Sequence, residues 1–249
     1  MNTAILAAWI LATMESLAPS SRTPFRDIPE TSEHRRARYE DTALAYAEAI
    51  AAVPDAGFPF RTRKGGRGEL TLAAWVVGVA LHESGFLYSV DSGARVGDGG
   101  RAWCTMQINL ARGKTTAEGW TGKELVADRR KCALSGVAIL ARHLAACSNL
   151  PFADRTSGYA SGRCQVGLPA PRRQAHIVAK IFKLPRPKGP AATPATEAPP
   201  QLAVPGPKPE ARPEAKTEAP VRTDPTTSPW RLFQCPYVLG CQMAEASAS

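Results

Sequence analysis

Aromatic side chains are scarce in this sequence, 7% of 249 residues, and none is interleaved with the basic clusters. Proteins that hold single-stranded nucleic acid stack bases on aromatic faces between cationic contacts. Helix-turn-helix and zinc-finger spacings are missing too, so no nucleic-acid partner is expected in spite of a net charge of +9. None of the six cysteines forms a Cys-x-x-Cys pair, and neither His82 nor His143 has a partner at ligand spacing. No metal and no other cofactor is expected. The apolar run Ala4–Ala12 is closed by Glu15. It falls far short of the ~20 residues that span a bilayer, so no transmembrane helix is expected. No Lys or Arg precedes this run, and Pro19 follows its best small-x-small site, Ser16-Leu17-Ala18, where cleavage is disfavoured. A weak or uncleaved export signal and an ordinary buried helix both fit it.

Hydrophobic residues make up 44% of the chain and charged residues 21%, enough apolar side chain for a real core. The length fits one domain with appendages or two small ones. A basic balance favours an anionic partner, and an acidic polymer such as cell wall suits a chain without nucleic-acid signatures. An even number of cysteines without metal spacing points to disulfides and to an oxidising compartment.

Four zones follow one another. Residues 1–34 hold the apolar run and a Ser/Pro/Arg-rich stretch, Pro19–His34, with the character of a linker. Residues 35–183 carry helical periodicity. Tyr39–Val53 places Leu44, Ala45 and Ile50 at helical spacing, and Thr71–His82 is apolar nearly all round. Arg129–Cys147, with Asp128 as its cap, puts Ala133, Val137, Leu140 and Leu144 on one face, and Pro171–Phe182 reads as a last helix. A basic Gly-rich loop at Arg61–Gly68, a Ser/Asp/Gly stretch at Ser89–Gly100 and a short apolar run at Trp103–Leu110 lie between them. The expected class is mainly α with a minimal β element. Residues 184–228 form the next zone, and thirteen of the chain's 22 prolines lie between Pro185 and Pro229. Such a composition cannot bury enough apolar surface to offset ordering entropy, so a disordered, partly polyproline spacer is expected. Residues 229–249 add a short apolar patch with Cys235 and Cys241, too small to be a domain.

The chemistry-bearing constellation is His82-Glu83-Ser84-Gly85-Phe86. A buried helix carries Glu83 on its last turn to the edge of the core, where a cleft can open. Partial burial and the negative end of a helix both disfavour a charged carboxylate, as a general acid near neutral pH requires. Further on lie Cys104-Thr105-Met106-Gln107-Ile108-Asn109 and Gly158-Tyr159-Ala160-Ser161-Gly162. In order and spacing these three segments resemble the lysozyme-like superfamily of lytic transglycosylases and goose-type lysozymes. That family has a Glu-Ser-x-Phe motif, a Gly-x-Met-Gln-Ile-like motif and an Ala-Tyr-Asn-x-Gly-like motif. The resemblance covers roughly residues 70 to 182. It departs where Cys104-Thr105 stands for Gly-Leu before Met-Gln, and where Ala160 stands for Asn after Tyr.

The resemblance implies a lysozyme-like α+β domain over 35–183 that cleaves peptidoglycan glycan strands, extracytoplasmic or associated with a phage particle. It implies that Glu83 is the catalytic acid/base and that Ser84 helps hold Glu83 or sugar by hydrogen bond. Met106 and Gln107 would line the glycan groove on a short strand edge, and Tyr159 would face Glu83 across the cleft. A lysozyme-type hydrolase, or a non-catalytic glycan-binding or structural module, is the alternative. A hydrolase needs a second carboxylate. Asp91 and Asp98 are the candidates, although Asp in a Gly/Ser-rich loop commonly forms turns. Among the cysteines, Cys132 and Cys147 end one 16-residue stretch of helix, about 22 Å long. A disulfide spans only ~4.4–6.8 Å between Cα atoms. The pairs are then Cys104–Cys132 with Cys147–Cys164, favoured because they join sequence neighbours, or Cys104–Cys147 with Cys132–Cys164.

Overall fold

The computed structural model describes residues 1–22, 27–111 and 113–186. The chain divides into two units, Met1–Gly189 and Pro190–Ser249. All described residues belong to the first. The Pro-rich segment beyond residue 186 and the Cys235–Cys241 patch lie outside the described residues.

The described part is mainly α, with one two-stranded sheet. Helix α3 (Glu69–Ser84) is its centre. Every residue from Leu72 to Ala80 is buried, as an all-round apolar helix must be. Around it pack α1 (Thr3–Leu17), α2 (Ser32–Ala52), α6 (Arg129–Ala146) and α8 (Pro169–Ile181). Gly78 makes room for one of these neighbours. A Cβ there would lie 2.6 Å from Val178 Cγ2, so only glycine lets α8 come this near to α3.

The N-terminal apolar run is a packed helix. Leu6, Trp9, Ile10 and Met14 of α1 are buried in the common core. The boundary expected after residue 34 falls inside α2, which starts at Ser32 with Thr31 as its cap. The stretch read as a linker is also anchored. Asp27 accepts hydrogen bonds from the backbone N–H groups of Tyr88 (2.6 Å) and Ser89 (2.9 Å), and so caps α4 (Tyr88–Asp91) from outside the helix. Glu30 has a fully buried side chain and meets Arg35 at 3.0 Å and Arg38 at 2.8 Å. Arg38 also donates to the carbonyl of Phe86 (3.1 Å), and Asp91 pairs with Arg129 at 2.7 Å. Together they fasten α2 and α6 to the chain just after α3. Burial alone would raise the Glu30 carboxyl, but hydrogen bonds from Arg38 and Arg35 prevail and hold it below its ordinary 4.5.

On α2 the buried stripe runs through Tyr39, Ala43, Tyr46, Ala47 and Ile50, with Ala45 beside it. Leu44 lies one step off that stripe and is exposed, contrary to its expected place. On α6 the expectation holds: Asp128 caps the first turn by accepting from Arg130 N (2.9 Å), and Ala133, Val137, Leu140 and Leu144 are buried. The run Trp103–Leu110 is a hairpin. Strand β1 (Ala102–Trp103) pairs antiparallel with β2 (Ile108–Asn109), and residues 104–107 form the turn. Two short helices complete the order, α5 (Gly122–Ala127) and α7 (Ser157–Ser161).

The disulfides are Cys104–Cys132 and Cys147–Cys164, with Cα separations of 6.2 and 5.3 Å. One pins the N-terminal end of α6 to the hairpin turn, the other its C-terminal end to the segment after α7. Among the described residues no helix is long and apolar enough to cross a membrane.

Candidate active site

Glu83 stands on the last turn of α3. Gly85 stops the helix in the left-handed region (φ 61°) and returns its N–H to the carbonyl of Leu81. The Glu83 side chain is 24% exposed. It lines a cavity of about 340 Å³ together with His82, Leu87, Val90, Arg95, Gly97 and Gln107. Glu83 is the one carboxylate among the described residues lining this cavity.

Its two oxygens are treated differently. Oε1 accepts from Gln174 Nε2 at 2.7 Å and lies 3.2 Å from His82 Nδ1. Arg173 Nε in turn donates to His82 Nε2 at 3.2 Å. An arginine has no acceptor, so the lone pair sits on Nε2 and the neutral ring carries its proton on Nδ1, facing Glu83. Oε2 accepts no hydrogen bond from any described residue. Arg173 and Gln174 are consecutive on α8. Gln174 reaches Glu83, and Arg173 reaches His82, where Gly78 lets that helix lie against α3.

The other expected site residues divide. Gln107 lines the cavity, with its amide donating to the Cys104 carbonyl at 3.0 Å. Ser84 does not hold Glu83. Its buried hydroxyl donates to Ala80 O (2.7 Å) and accepts from Phe86 N (3.2 Å), which ties down the helix end. Met106 is not on a strand edge and its side chain does not line the groove. It is fully buried against α6, where Gly136 leaves it room. Its contribution is its carbonyl, which accepts the Tyr159 hydroxyl. Tyr159 therefore makes no hydrogen bond to Glu83, yet it feels it. Burial first, and then the charge of Glu83, push the phenol well above the usual tyrosine range. The second and third motifs are thus bonded to each other. The disulfides hold the flanks of both motifs on α6.

Neither candidate second carboxylate lines the cavity. Asp91 is 4% exposed and committed to Arg129. Asp98 accepts from Asn109 Nδ2 at 2.9 Å. Asp98 belongs instead to a set of four non-glycine residues at positive φ: Phe86 (53°), Asp98 (47°), Cys104 (56°) and Gln107 (48°). Each such residue stores ~1–3 kcal/mol, tolerated where the surroundings over-determine the backbone. Among the described residues, all of them lie in the segment from the end of α3 to the hairpin turn.

Gln174, Arg173 and Arg95 were not singled out from the sequence, and His82 was read only as a helix residue. A signal existed for Gln174. The buried stripe of α8 reads Pro171, Gln174, Ala175, Val178, Ile181, and an amide at an apolar position asks for a partner.

No protein-family model, curated protein or solved structure matches this chain. The chemistry of the site therefore rests on its geometry. One carboxylate has one oxygen anchored and the other open, in a cavity that Arg95 also lines. Such a group can give a proton and take one back at a single point.

Proposed function

We propose that this protein is a lytic transglycosylase of lysozyme-like fold that cleaves the β-1,4 bond between MurNAc and GlcNAc in peptidoglycan. The observation that carries the reading is the single carboxylate, Glu83, at the end of a buried helix in an open cavity. Glu83 protonates the glycosidic oxygen, and GlcNAc leaves with that proton as its new hydroxyl. The resulting carboxylate then draws the proton from the MurNAc 6-hydroxyl, whose oxygen closes on C1 as an anhydro sugar. Inverting and retaining hydrolases need a second carboxylate for water or for the sugar. Asp91 and Asp98 are engaged elsewhere. The ordered likeness of Glu83–Phe86, Met106-Gln107-Ile108 and Tyr159 to the family's three motifs supports the same reading. The net charge of +9 suits an anionic wall. The two disulfides fit an oxidising compartment, extracytoplasmic or on a phage particle.

Digestion of purified peptidoglycan with mass analysis of the new ends tests it. Anhydro ends are expected from the parent, and Glu83→Gln should lower the rate by ~10²–10⁴-fold. Reducing ends would make the protein a muramidase. An inert parent, or a fully active Glu83→Gln, would leave a glycan-binding or structural module.

A further inference from the structure

We propose that Gln174 is the positioning residue that keeps the transferable proton of Glu83 on Oε2. The proposal rests on the reading of Glu83 as acid and base. Gln174 is fully buried on α8, the one polar side chain in that helix's buried stripe. Its Nε2 donates to Glu83 Oε1, and its own Oε1 has no hydrogen-bond partner. A buried amide with an orphaned acceptor is costly, so an apolar side chain would suit the packing better. Such a group calls for a reason, and its one bond goes to the candidate acid.

The groups around Glu83 are His82 from its own helix, with Arg173 of α8 behind it, Gln174 from α8, Tyr159 from α7, and Arg95 and Gln107 in the lining of the same cavity. Of these, Gln174 and His82 both present N–H groups to Oε1. A proton on Oε1 would point at two donors. The neutral acid therefore carries its proton on Oε2, the oxygen without a described partner. After the proton has gone to the glycosidic oxygen, the same donors hold the carboxylate still. Oε2 then stays where the 6-hydroxyl proton must arrive.

The test uses Gln174→Met, close in size and apolar, and Gln174→Asn, whose amide is too short to reach. Three quantities are read on the full chain: kcat and KM on purified glycan strands, the thermal unfolding midpoint, and the ¹³C resonance of the Glu83 side-chain carboxyl. In both variants kcat should fall by ~10–100-fold with KM nearly unchanged, because the acid is misplaced and substrate binding is not. The carboxyl resonance should move. The midpoint of Gln174→Met should stay at or above the parent's, since an unsatisfied buried acceptor has been removed. An unchanged kcat or an unmoved resonance in a folded variant overturns the proposal. A lowered midpoint with kcat per folded molecule intact also overturns it, as a purely structural role would give. Should Gln174→Met not fold, Gln174→Asn alone decides by the same measures. If the parent cleaves no glycan, the activity reading falls by itself, and the resonance still reports whether Gln174 holds Oε1.

Discussion

Two groups of acidic residues lie near the end of α3, and they are solvated in opposite ways. Glu30 and Asp91 are buried against the guanidinium groups of Arg35, Arg38 and Arg129. Glu83 meets an amide and an imidazole, on one oxygen only. A carboxylate locked between fixed cations stays charged and serves as a fastener. A carboxylate held by neutral donors can change its protonation state without leaving an unpaired charge behind. The contrast teaches that acid chemistry here depends less on which residues are acidic than on whether their partners are arginines.

The sharpest way to break this comparison is to truncate one member of each group. Glu30→Ala should lose ~3–5 kcal/mol, because Arg35 would be left buried without an acidic partner and Arg38 with Asp91 alone, at 3.8 Å. Glu83→Ala should lose less, ~1–3 kcal/mol, because it leaves the buried Gln174 amide without its one hydrogen bond but strands no buried charge. Urea unfolding of the two variants checks both values. Equal losses would mean that Glu83 is a fastener too.

A smaller effect is expected from acid. Burial acts against the charged forms of Glu30 and Asp27, but hydrogen bonds from arginines and from backbone N–H groups prevail, so both carboxyls are held below their ordinary 4.5 and 3.8. A depressed folded value contributes stability above the unfolded value, and that contribution is lost as pH falls through the folded one. The melting temperature should therefore hold above pH 4.5 and decline below it. Glu30→Gln should flatten that decline. A parent whose melting temperature is level through this window would contradict the assignment.

The smallest effect is expected at Asp98. Asp98→Ala removes one exposed hydrogen bond, to Asn109, worth ~0.5–1.5 kcal/mol. Glycan cleavage should be unchanged. A loss as large as that of Glu83→Gln would make Asp98 a second acting carboxylate and shift the reading to a hydrolase.

The helices were legible where their signals are local. Asp128 before an amphipathic stretch marked α6, and an apolar run marked α3 and set Glu83 on its last turn. The disulfide set was legible up to one choice of pairing. Distant partnerships were not legible. Asp27 and Glu30 sit in a stretch with linker composition, and the backbone that Asp27 caps is more than sixty residues away. Ser84 and Met106 were placed by a motif, but their side chains turn to the helix end and the core. Residues from 187 onward, with Cys235 and Cys241, lie outside the described residues.

By itself, the sequence determined a mainly helical chain, a carboxylate at a buried helix end and four cysteines able to pair, because hydrophobic period, caps and spacing act over a few residues. Which oxygen of Glu83 is held, by Gln174 and His82, and which acids are tied up by arginines, was decided only by tertiary structure. These contacts exist because α8 lies against α3 at Gly78 and α2 closes over the chain beyond Phe86. Neither approach leaves a local mark in the order of residues.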